Sequence, residues 1–497
     1  MDTHVSSAHD ITQRGKGIMT GAQFLESLRD GRQVWFEGQK VEDVTTFEPF
    51  KGLCASLAHL YDLQHEAATQ GDMTFVDENG VRCSAGYRVP DTKEALLHRR
   101  KNHEVWSRET FGLMGRNPDF CSAIVMGFYD VRDELAKINP MFKTNVENYL
   151  QYARTHDLCL SHGLHDPNMD KTFRPEQDPD RCLRIIEERE DGVIVRGLRY
   201  ATLAPFSNEC LVYPTYALNE NENEFGIWFA IPMNAPGVKI VCRESYAKGR
   251  TETDDPIGVR FDEQDASVIF DDVFVPWSRV FLANDAGACR RLIGRAMTWV
   301  QMSAAVSVMA RYELTVGVAC LVAETGGIAN RPRVKEELAE LISYSEMQRL
   351  AFEACFDRPV QTPSGLWTSM PSMSRRIFDI LISERVNTLL EHVGTGSLVF
   401  NQTQADLEVP ELKKLLAIYG RGKDIDASTR QRLVRVAWQL AGGTFGSRQQ
   451  LYERLHSGDP YVLMGRAYDM YNKSRAYNAV NRLLGTDFKP TAPMHGR

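Results

Sequence analysis

The chain has 497 residues, of which 43% are hydrophobic and 25% are charged, and this composition excludes a mainly disordered chain. At about 150 residues per domain, the length predicts roughly three domains or one large subunit with inseparable lobes. The formal net charge of −8 provides no overall positive field for phosphates, which argues against a nucleic-acid-binding protein.

Residues 1–150 are predicted to form a mainly α lobe with a small hairpin. Thr20 and Gln23 have the spacing of a capping box at the start of a helix. The hairpin is expected around the turn at Glu37-Gly38. Further helices are predicted over 53–63 and 93–110.

Residues 151–282 are predicted to form a central β domain. Short runs of aromatic and β-branched residues alternate there with turn sequences such as Asn234-Ala235-Pro236-Gly237. This spacing is typical of a β-sandwich or barrel. Strands are predicted at 184–187, 193–195, 211–216, 225–231, 238–242 and 268–275.

Residues 283–497 are predicted to form a helical bundle whose remaining apolar faces serve oligomerisation. Four segments have broad apolar faces at helical spacing. They lie at 299–323, 334–347, 382–393 and 433–440. The predicted fold class is therefore mainly α with a central β domain.

The sequence gives no indication of a membrane segment or of a disulfide framework. No run reaches the roughly 18 consecutive apolar residues of a membrane helix, and the polar start lacks the pattern of a signal peptide. The ten cysteines lie at least 23 residues apart without a CxxC. We therefore expect a cytoplasmic protein whose cysteines are buried, reduced, small apolar residues.

Several common mechanisms lack their motifs. No GxGxxG follows a predicted strand, so a Rossmann domain is not expected. The motifs GxxxxGK[ST], HExxH and GxSxG are also absent, which argues against P-loop, zincin and α/β-hydrolase chemistry. His162 and His165 lack a third ligand at a convincing spacing, and we expect no bound metal.

Two segments contain side chains suited to catalysis. Arg116 follows a glycine in a turn, where the backbone can approach a ligand closely, although a plain surface arginine has the same pattern. His162 lies at the predicted junction of the α and β lobes, where ligand clefts open and an imidazole can act as acid or base. A structural histidine is the alternative there.

Two further segments are ambiguous. The run Arg260–Asp265 precedes a predicted strand and is interpreted most simply as a charged loop. The segment Gly443–Arg448 follows a predicted helix and would place backbone amides and an arginine against a phosphate, or would simply end the helix at its glycines.

Taken together, these segments resemble the FADH2-dependent 4-hydroxyphenylacetate 3-hydroxylase family of two-component flavin monooxygenases. The resemblance extends over nearly the whole chain, and within the family some segments look closer to the chlorophenol and nitrophenol monooxygenase branch. Its most specific motifs are Met-Gly-Arg-x-Pro-Asp at 114–119 and Asp-x-Val-x-Val-Pro-Trp at 271–277, and the similarity continues to the segment 445–453.

The resemblance implies an acyl-CoA dehydrogenase-like fold with an α lobe, a central β lobe and a C-terminal four-helix bundle, usually assembled as a homotetramer. It implies the oxygenase component of an aromatic monooxygenase, which receives FADH2 from a separate NAD(P)H-dependent flavin reductase. Such an enzyme hydroxylates a phenolic or similarly activated aromatic substrate with O2 through a flavin C4a-hydroperoxide. It needs no nicotinamide site, which agrees with the missing GxGxxG.

The resemblance also implies site residues. Arg116 would favour the phenolate, and His162 would exchange the phenol proton or bind the peroxide. Phe120 stands where the family usually has tyrosine, which puts a simple 4-hydroxyphenylacetate assignment in doubt. The implied FAD contacts are Pro167, Met169, Asp170, Lys171, Thr202, Phe445, Gly446 and Arg448. The implied substrate pocket contains Phe120, Pro205, Phe206 and Ser207.

Other functions stay open at this point. An acyl-CoA dehydrogenase-like flavoprotein acting on a thioester would need a carboxylate base facing the flavin. A biosynthetic tailoring hydroxylase of the same fold would use the same residue pair. A 4-hydroxybutyryl-CoA dehydratase would need three cysteines and a histidine at cluster spacing, which the sequence lacks. A flavin-free structural homologue would bind no reduced FAD.

Overall fold

A helical N-terminal part is followed by two β-sheets and then by helices up to the end of the structure. The computed structural model describes residues 15–167, 172–214, 218–247, 249–369, 373–455 and 459–489. The predicted fold class, mainly α with a central β region, is confirmed.

The N-terminal helices follow local sequence patterns. The side chain of Thr20 accepts a hydrogen bond from the backbone N–H of Gln23, and the two residues form the expected capping box. The helices are α1 (Gly21–Ser27), α2 (Lys51–Asp62), α3 (Gln70–Met73), α4 (Lys93–Glu109), α5 (Pro118–Asp130), α6 (Arg132–Ile138) and α7 (Pro140–Thr155). In α5 every residue except Tyr129 is buried, because the sequence between its terminal acidic residues is uncharged.

The strands form two main sheets. Their order is β2-β1-β10-β11-β7-β6 in one and β12-β9-β8-β5 in the other, while β3 and β4 pair separately. The strands are β1 (Val34–Phe36), β2 (Gln39–Val41), β3 (Thr74–Val76), β4 (Arg82–Ser84), β5 (Leu160–Gly163), β6 (Arg184–Glu188), β7 (Gly192–Thr202), β8 (Glu209–Val212), β9 (Trp228–Pro232), β10 (Val238–Cys242), β11 (Asp265–Pro276) and β12 (Val280–Leu282). One short helix, α8 (Gly258–Phe261), precedes β11.

The predicted hairpin is present, but it belongs to the large sheet. β1 pairs in parallel with β10, and Val34 lies opposite Ile240. A parallel pairing between segments about 200 residues apart leaves no local sequence pattern. The hairpin therefore joins the N-terminal helices to the central β region.

Helix α5 packs on the four-stranded sheet. The ring of Phe128 on α5 stacks on Trp228 of β9 with ring centroids 5.0 Å apart. Strand β5 is fully buried and pairs in parallel with β8. The loop that precedes α5 and the middle of β5 consequently meet beneath the surface, and this junction contains the candidate site.

The C-terminal region contains the four predicted long helices, which pack on one another as α10, α11, α12 and α15. Its helices are α9 (Ala286–Ala296), α10 (Val300–Thr325), α11 (Pro332–Asp357), α12 (Met373–Gly394), α13 (Gln404–Glu408), α14 (Pro410–Tyr419), α15 (Ala427–Ala441), α16 (Thr444–Leu455), α17 (Pro460–Met470) and α18 (Ser474–Leu484). A two-stranded sheet of β13 (Val360–Gln361) and β14 (Trp367–Thr368) follows α11.

Helix α10 is the one helix in the described part of the chain that is long and apolar enough to cross a membrane, by length and composition. In its most apolar stretch, 61% of the residues are buried inside the structure. It packs against α4, α5, α11, α12 and α15, and these contacts account for the apolar sequence.

All ten cysteines are free thiols, eight of them buried and two, Cys320 and Cys355, half-buried. Burial raises the pKa of the Cys54 thiol to about 12, and burial likewise raises the pKa of Cys159 to about 12. Buried thiols of this kind stay protonated at neutral pH and pack as small apolar side chains.

Candidate active site

Arg116 and His162 form the central pair of the site. Nε of Arg116 donates a hydrogen bond to Nε2 of His162 across 2.8 Å. The two residues are 6% and 4% exposed. The packing of α5 on the four-stranded sheet brings the loop before α5 against β5, so the two predicted catalytic residues lie in direct contact.

The imidazole of His162 is neutral and has a defined tautomer. Burial, followed by the charge of Arg116, holds the pKa of His162 well below its ordinary value. A guanidinium can only donate, so Nε2 accepts and the ring proton lies on Nδ1. Nδ1 is 2.9 Å from the hydroxyl oxygen of Tyr213, which accepts that proton in a hydrogen bond.

The guanidinium of Arg116 contacts two aromatic rings. Its central carbon is 4.1 Å from the ring centroid of Phe120 and 5.1 Å from that of Tyr452. Nη1 also donates a hydrogen bond to the Tyr452 hydroxyl. Burial lowers the pKa of Arg116, but Tyr452 and Glu263 more than offset this effect and the pKa is raised overall. Arg116 is therefore a permanent cation in the site.

The carboxylate of Glu263 holds the turn that contains Arg116. Its Oε1 accepts from the backbone N–H of Gly115, and its Oε2 from the N–H of Arg116, both across 2.9 Å. A Cβ on Gly115 would lie 2.4 Å from the hydroxyl oxygen of Tyr452. Only glycine leaves room for the Tyr452 ring beside this turn.

Two of the predicted FAD contacts meet at Asp265. The hydroxyl of Thr202 donates to Oδ1 of Asp265 across 2.7 Å, and Nε and Nη2 of Arg448 donate to the same carboxylate across 3.1 and 2.8 Å. Nη1 of Arg448 donates to Glu263 across 3.0 Å. Burial raises the pKa of Asp265, but Arg448, Arg243 and the hydroxyl of Thr202 together outweigh this effect and hold the pKa well below its ordinary value.

A bridge between His165 and Tyr200 fixes the segment after β5 against β7. The backbone N–H of Tyr200 donates to the carbonyl oxygen of His165 across 2.8 Å. Pro167 follows His165 by two residues, and Thr202 ends β7 two residues after Tyr200. The other predicted contacts in this segment lie outside the described residues, and their role stays a prediction. They are Met169, Asp170 and Lys171.

The predicted FAD contacts on α16 lie in two different places. Phe445 and Gly446 line a narrow cleft between α16 and the helices α10, α12 and α15. Phe445 is buried there. Arg448 of the same helix is instead directed toward Asp265, so these three residues contact two separate regions.

Among the predicted substrate residues, Phe120 contacts the central pair, with its ring centroid 5.4 Å from that of His162. Phe206 packs in the core, where its ring centroid is 5.2 Å from that of Phe50. The carbonyl oxygens of Pro205 and Ser207 accept from Arg32, and the Ser207 hydroxyl donates to Ser161, next to His162. Substrate contacts by Pro205, Phe206 and Ser207 stay a prediction.

Three residues of the site, Glu263, Tyr213 and Tyr452, are not among the residues that the sequence analysis predicts for it. Glu263 lies in a run whose pattern is that of a charged loop, and Tyr213 lies in a predicted strand. Tyr452 lies one helical turn after Arg448, on the same face of α16, and this spacing is the one local indication that it belongs to the site. Within the described residues, no group of three or more His, Cys, Asp or Glu side chains is arranged to hold a metal.

Family models match this chain over most of its length. Residues 20–282 match the model of the 4-hydroxyphenylacetate 3-hydroxylase N terminal region, and residues 289–485 match that of its C terminal region. The chain is 32% identical to the 4-hydroxyphenylacetate 3-monooxygenase oxygenase component of Thermus thermophilus, over 95% of this chain and 98% of the relative. It is 29% identical to the 4-nitrophenol 2-monooxygenase oxygenase component of a Rhodococcus species, over 89% and 86%.

A solved structure has a similar sequence and the same fold. The oxygenase component of 4-hydroxyphenylacetate 3-monooxygenase, complexed with FAD and 4-hydroxyphenylacetate, is 32% identical with a TM-score of 0.88, covering 94% of this chain and 98% of that one. The resemblance noted in the sequence is thus confirmed at the level of the whole fold. This chain belongs to the 4-hydroxyphenylacetate 3-hydroxylase family.

Proposed function

We propose that this protein is the oxygenase component of a two-component, FADH2-dependent monooxygenase that hydroxylates a phenolic substrate with O2. The observation that carries the proposal is the buried contact between Arg116 and His162, in a chain of this family. The family members named above include oxygenases of 4-hydroxyphenylacetate and of 4-nitrophenol, both of which are phenols.

Arg116 provides the positive charge for the phenolic oxygen. Its Nε is bound to His162 and its Nη1 to Tyr452, while Nη2 has no hydrogen-bond partner among the described residues. A fixed cation in a buried site favours the phenolate over the phenol, which makes the ring more electron-rich. The rings of Phe120 and Tyr452 both lie within cation–π distance of the guanidinium and limit its movement.

His162 provides a neutral acceptor for the phenol proton. The lone pair of Nε2 accepts from Arg116 in the structure, so a phenol that binds between the two residues donates its O–H to that lone pair. The phenolate oxygen then accepts from Arg116. The hydrogen bond from Nδ1 to Tyr213 fixes this tautomer before the transfer, and the imidazolium that forms still donates Nδ1–H to Tyr213.

The residues around Asp265 fit FAD by their chemistry. Thr202 is half-buried with a hydroxyl at the edge of the site, and Arg448 gives three of its five N–H groups to Asp265 and Glu263, which leaves two for a ligand. The two remaining N–H groups of Arg448 would hold FAD through hydrogen bonds. When bound, reduced FAD supplies the oxygen chemistry. The protein holds the ring and excludes water from the site.

The sequence lacks a GxGxxG motif, which supports a separate NAD(P)H-dependent flavin reductase as the source of FADH2. Large apolar side chains on the C-terminal helices are strongly exposed, for example Tyr461 at 83% and Leu483 at 84%. Such patches support contacts between subunits, and we propose a homotetramer. The cytoplasmic location expected from the sequence stays part of this proposal.

The substrate within the phenol class is open to experiment, because Phe120 replaces the tyrosine expected from the family. The alternative of a thioester-acting flavoprotein needs a carboxylate base beside the flavin. Asp265 and Glu263 are both bound by Arg448, and this does not favour a basic role for either.

The test begins with a titration of the protein with reduced FAD without oxygen. The loaded protein is then mixed with oxygen and a panel of phenols, including 4-hydroxyphenylacetate and 4-nitrophenol, and the products are separated by chromatography. We expect a catechol or quinol product that Arg116→Ala abolishes. A protein that neither binds reduced FAD nor hydroxylates any phenol of the panel would contradict the proposal.

A further inference from the structure

The acidic segment Asp262–Asp265, at the start of β11, binds several distant parts of the chain. Asp262 accepts from Nη2 of Arg243 across 2.6 Å. Asp265 accepts from Thr202 across 2.7 Å. The sequence pattern indicates only a charged loop here, yet both carboxylates accept hydrogen bonds from other segments of the chain.

Glu263 is the member of this segment that contacts the candidate catalytic residue. Its side chain has no exposed surface and accepts three N–H groups, those of Gly115, Arg116 and Arg448, at 2.9, 2.9 and 3.0 Å. Charge-assisted hydrogen bonds of this kind are about twice as strong as neutral ones. One carboxylate therefore fixes the turn before α5 to helix α16.

These contacts determine where the guanidinium of Arg116 lies. Its backbone is held directly by Glu263. Its Nη1 contacts Tyr452, one helical turn after Arg448 on α16, and the central carbon of Arg448 is 5.0 Å from the Tyr452 ring centroid. Glu263 thus holds the backbone of Arg116 directly, and through Arg448 it holds the helix whose Tyr452 contacts the guanidinium.

When Glu263 is neutralised, a positioning role and a purely electrostatic role predict opposite changes in the pKa of a bound phenol. As a nearby negative charge alone, Glu263 disfavours a phenolate at Arg116, so its neutralisation would lower the pKa of a bound phenol. If Glu263 instead holds Arg116 against the phenolate oxygen, its neutralisation would raise that pKa. A role in stability alone would leave the pKa unchanged.

We propose that Glu263 is a positioning residue for Arg116, which it holds in the orientation that stabilises a bound phenolate. The inference rests on the proposed function, in which Arg116 binds the phenolic oxygen. It assigns a function to the acidic segment and connects the phenol site to the C-terminal helices through Arg448.

The test uses 4-nitrophenol, whose phenolate absorbs visible light, bound to the full-length protein without flavin. Its pKa in the complex is measured by absorbance. In the wild-type protein we expect the bound probe to ionise at a lower pH than the free probe. In Glu263→Gln the amide presents a donor to N–H groups, so we expect the pKa of the probe to rise by about one unit and its dissociation constant at neutral pH to rise about tenfold.

Asp130→Asn is the matched control, because Asp130 is a buried carboxylate at the other end of α5 that accepts from Arg295 and Trp299. This variant is expected to lower stability and to leave the pKa of the probe unchanged. If Glu263→Gln does not fold, Glu263→Asp is measured instead. It keeps the charge but is one methylene shorter, and a smaller rise is expected.

The outcomes separate this inference from the function on which it rests. A wild-type protein that does not alter the ionisation of 4-nitrophenol would overturn the phenol site itself, and with it the role of Glu263. A wild-type shift that is unchanged, or larger, in the folded Glu263 variant would overturn the positioning role alone.

Discussion

The hydrogen bond from Nε of Arg116 to Nε2 of His162 fixes the charge of both side chains before any ligand binds. The guanidinium is the donor, so the imidazole is the acceptor and stays neutral. The site therefore presents one permanent positive charge and one proton acceptor, 2.8 Å apart.

The low pKa of His162 predicts a loss of stability in mild acid. In the unfolded chain this histidine takes up a proton near its ordinary pKa of about 6.5, whereas in the folded protein it stays neutral to a much lower pH. The unfolded state binds more protons below pH 6.5, so folding stability falls as the pH decreases through that window. Between pH 7.5 and 5.5 we expect a contribution of about 1 kcal/mol from this residue.

The measurement is urea unfolding of the wild-type protein and of His162→Asn at several pH values. The variant should lose less stability than the wild type on going from pH 7.5 to 5.5. Equal losses in both proteins would show that His162 is not held neutral by the fold.

Arg116→Lys is expected to lower kcat/KM for phenol hydroxylation by about 10²-fold or more. A lysine keeps the charge, but a single ammonium cannot reproduce the planar contacts to His162 and Tyr452 while still facing a phenolate. Product formation and reduced-FAD binding are measured together. Full activity with lysine would show that charge alone is required.

Tyr452→Phe is expected to lower kcat/KM about tenfold, because it removes a hydrogen bond to the charged Arg116 and keeps the ring beside it. Tyr149→Phe is the matched control, since it removes a buried hydroxyl that donates to Glu209 across 2.9 Å. The control should reduce stability only. Similar kinetics in the two variants would argue against a role for Tyr452 in the site.

Gly115→Ala is expected to destabilise the protein by about 1–3 kcal/mol and to reduce activity, because the added methyl group collides with the Tyr452 ring. Gly294→Ala provides the comparison. A methyl group added there, inside α9, would meet nothing within 4 Å beyond the adjacent backbone of its own helix, and alanine should stabilise the helix. Thermal unfolding and the hydroxylation rate are measured for both variants. An unperturbed Gly115→Ala protein would show that the turn can move.

Local features of the fold were predictable because their causes are local. The capping box at Thr20 and the strand Val238–Cys242 match the prediction closely. Strand β5 was not predicted, since Leu-Ser-His-Gly has no alternating pattern and becomes a strand by pairing with β8, about 50 residues away. Tertiary pairing, rather than propensity, decides such segments.

The contrast between local patterns and long-range contacts also applies to the site. Arg116 and His162 were named through family resemblance, whereas the residues alone left both open to structural roles. Glu263 contacts Arg116 from a position 147 residues further along the chain, and no local pattern indicates such a partner. Hydrogen bonds between distant segments arise only once the lobes have packed.

The burial of the thiols restricts the labelling of native cysteines in the folded protein to two positions. A maleimide reagent should modify Cys320 on α10 and Cys355 on α11 and leave the eight enclosed sulfur atoms intact in the native state. Fluorophores at these two helices would report on the C-terminal bundle while oxygen and phenol turn over elsewhere in the molecule.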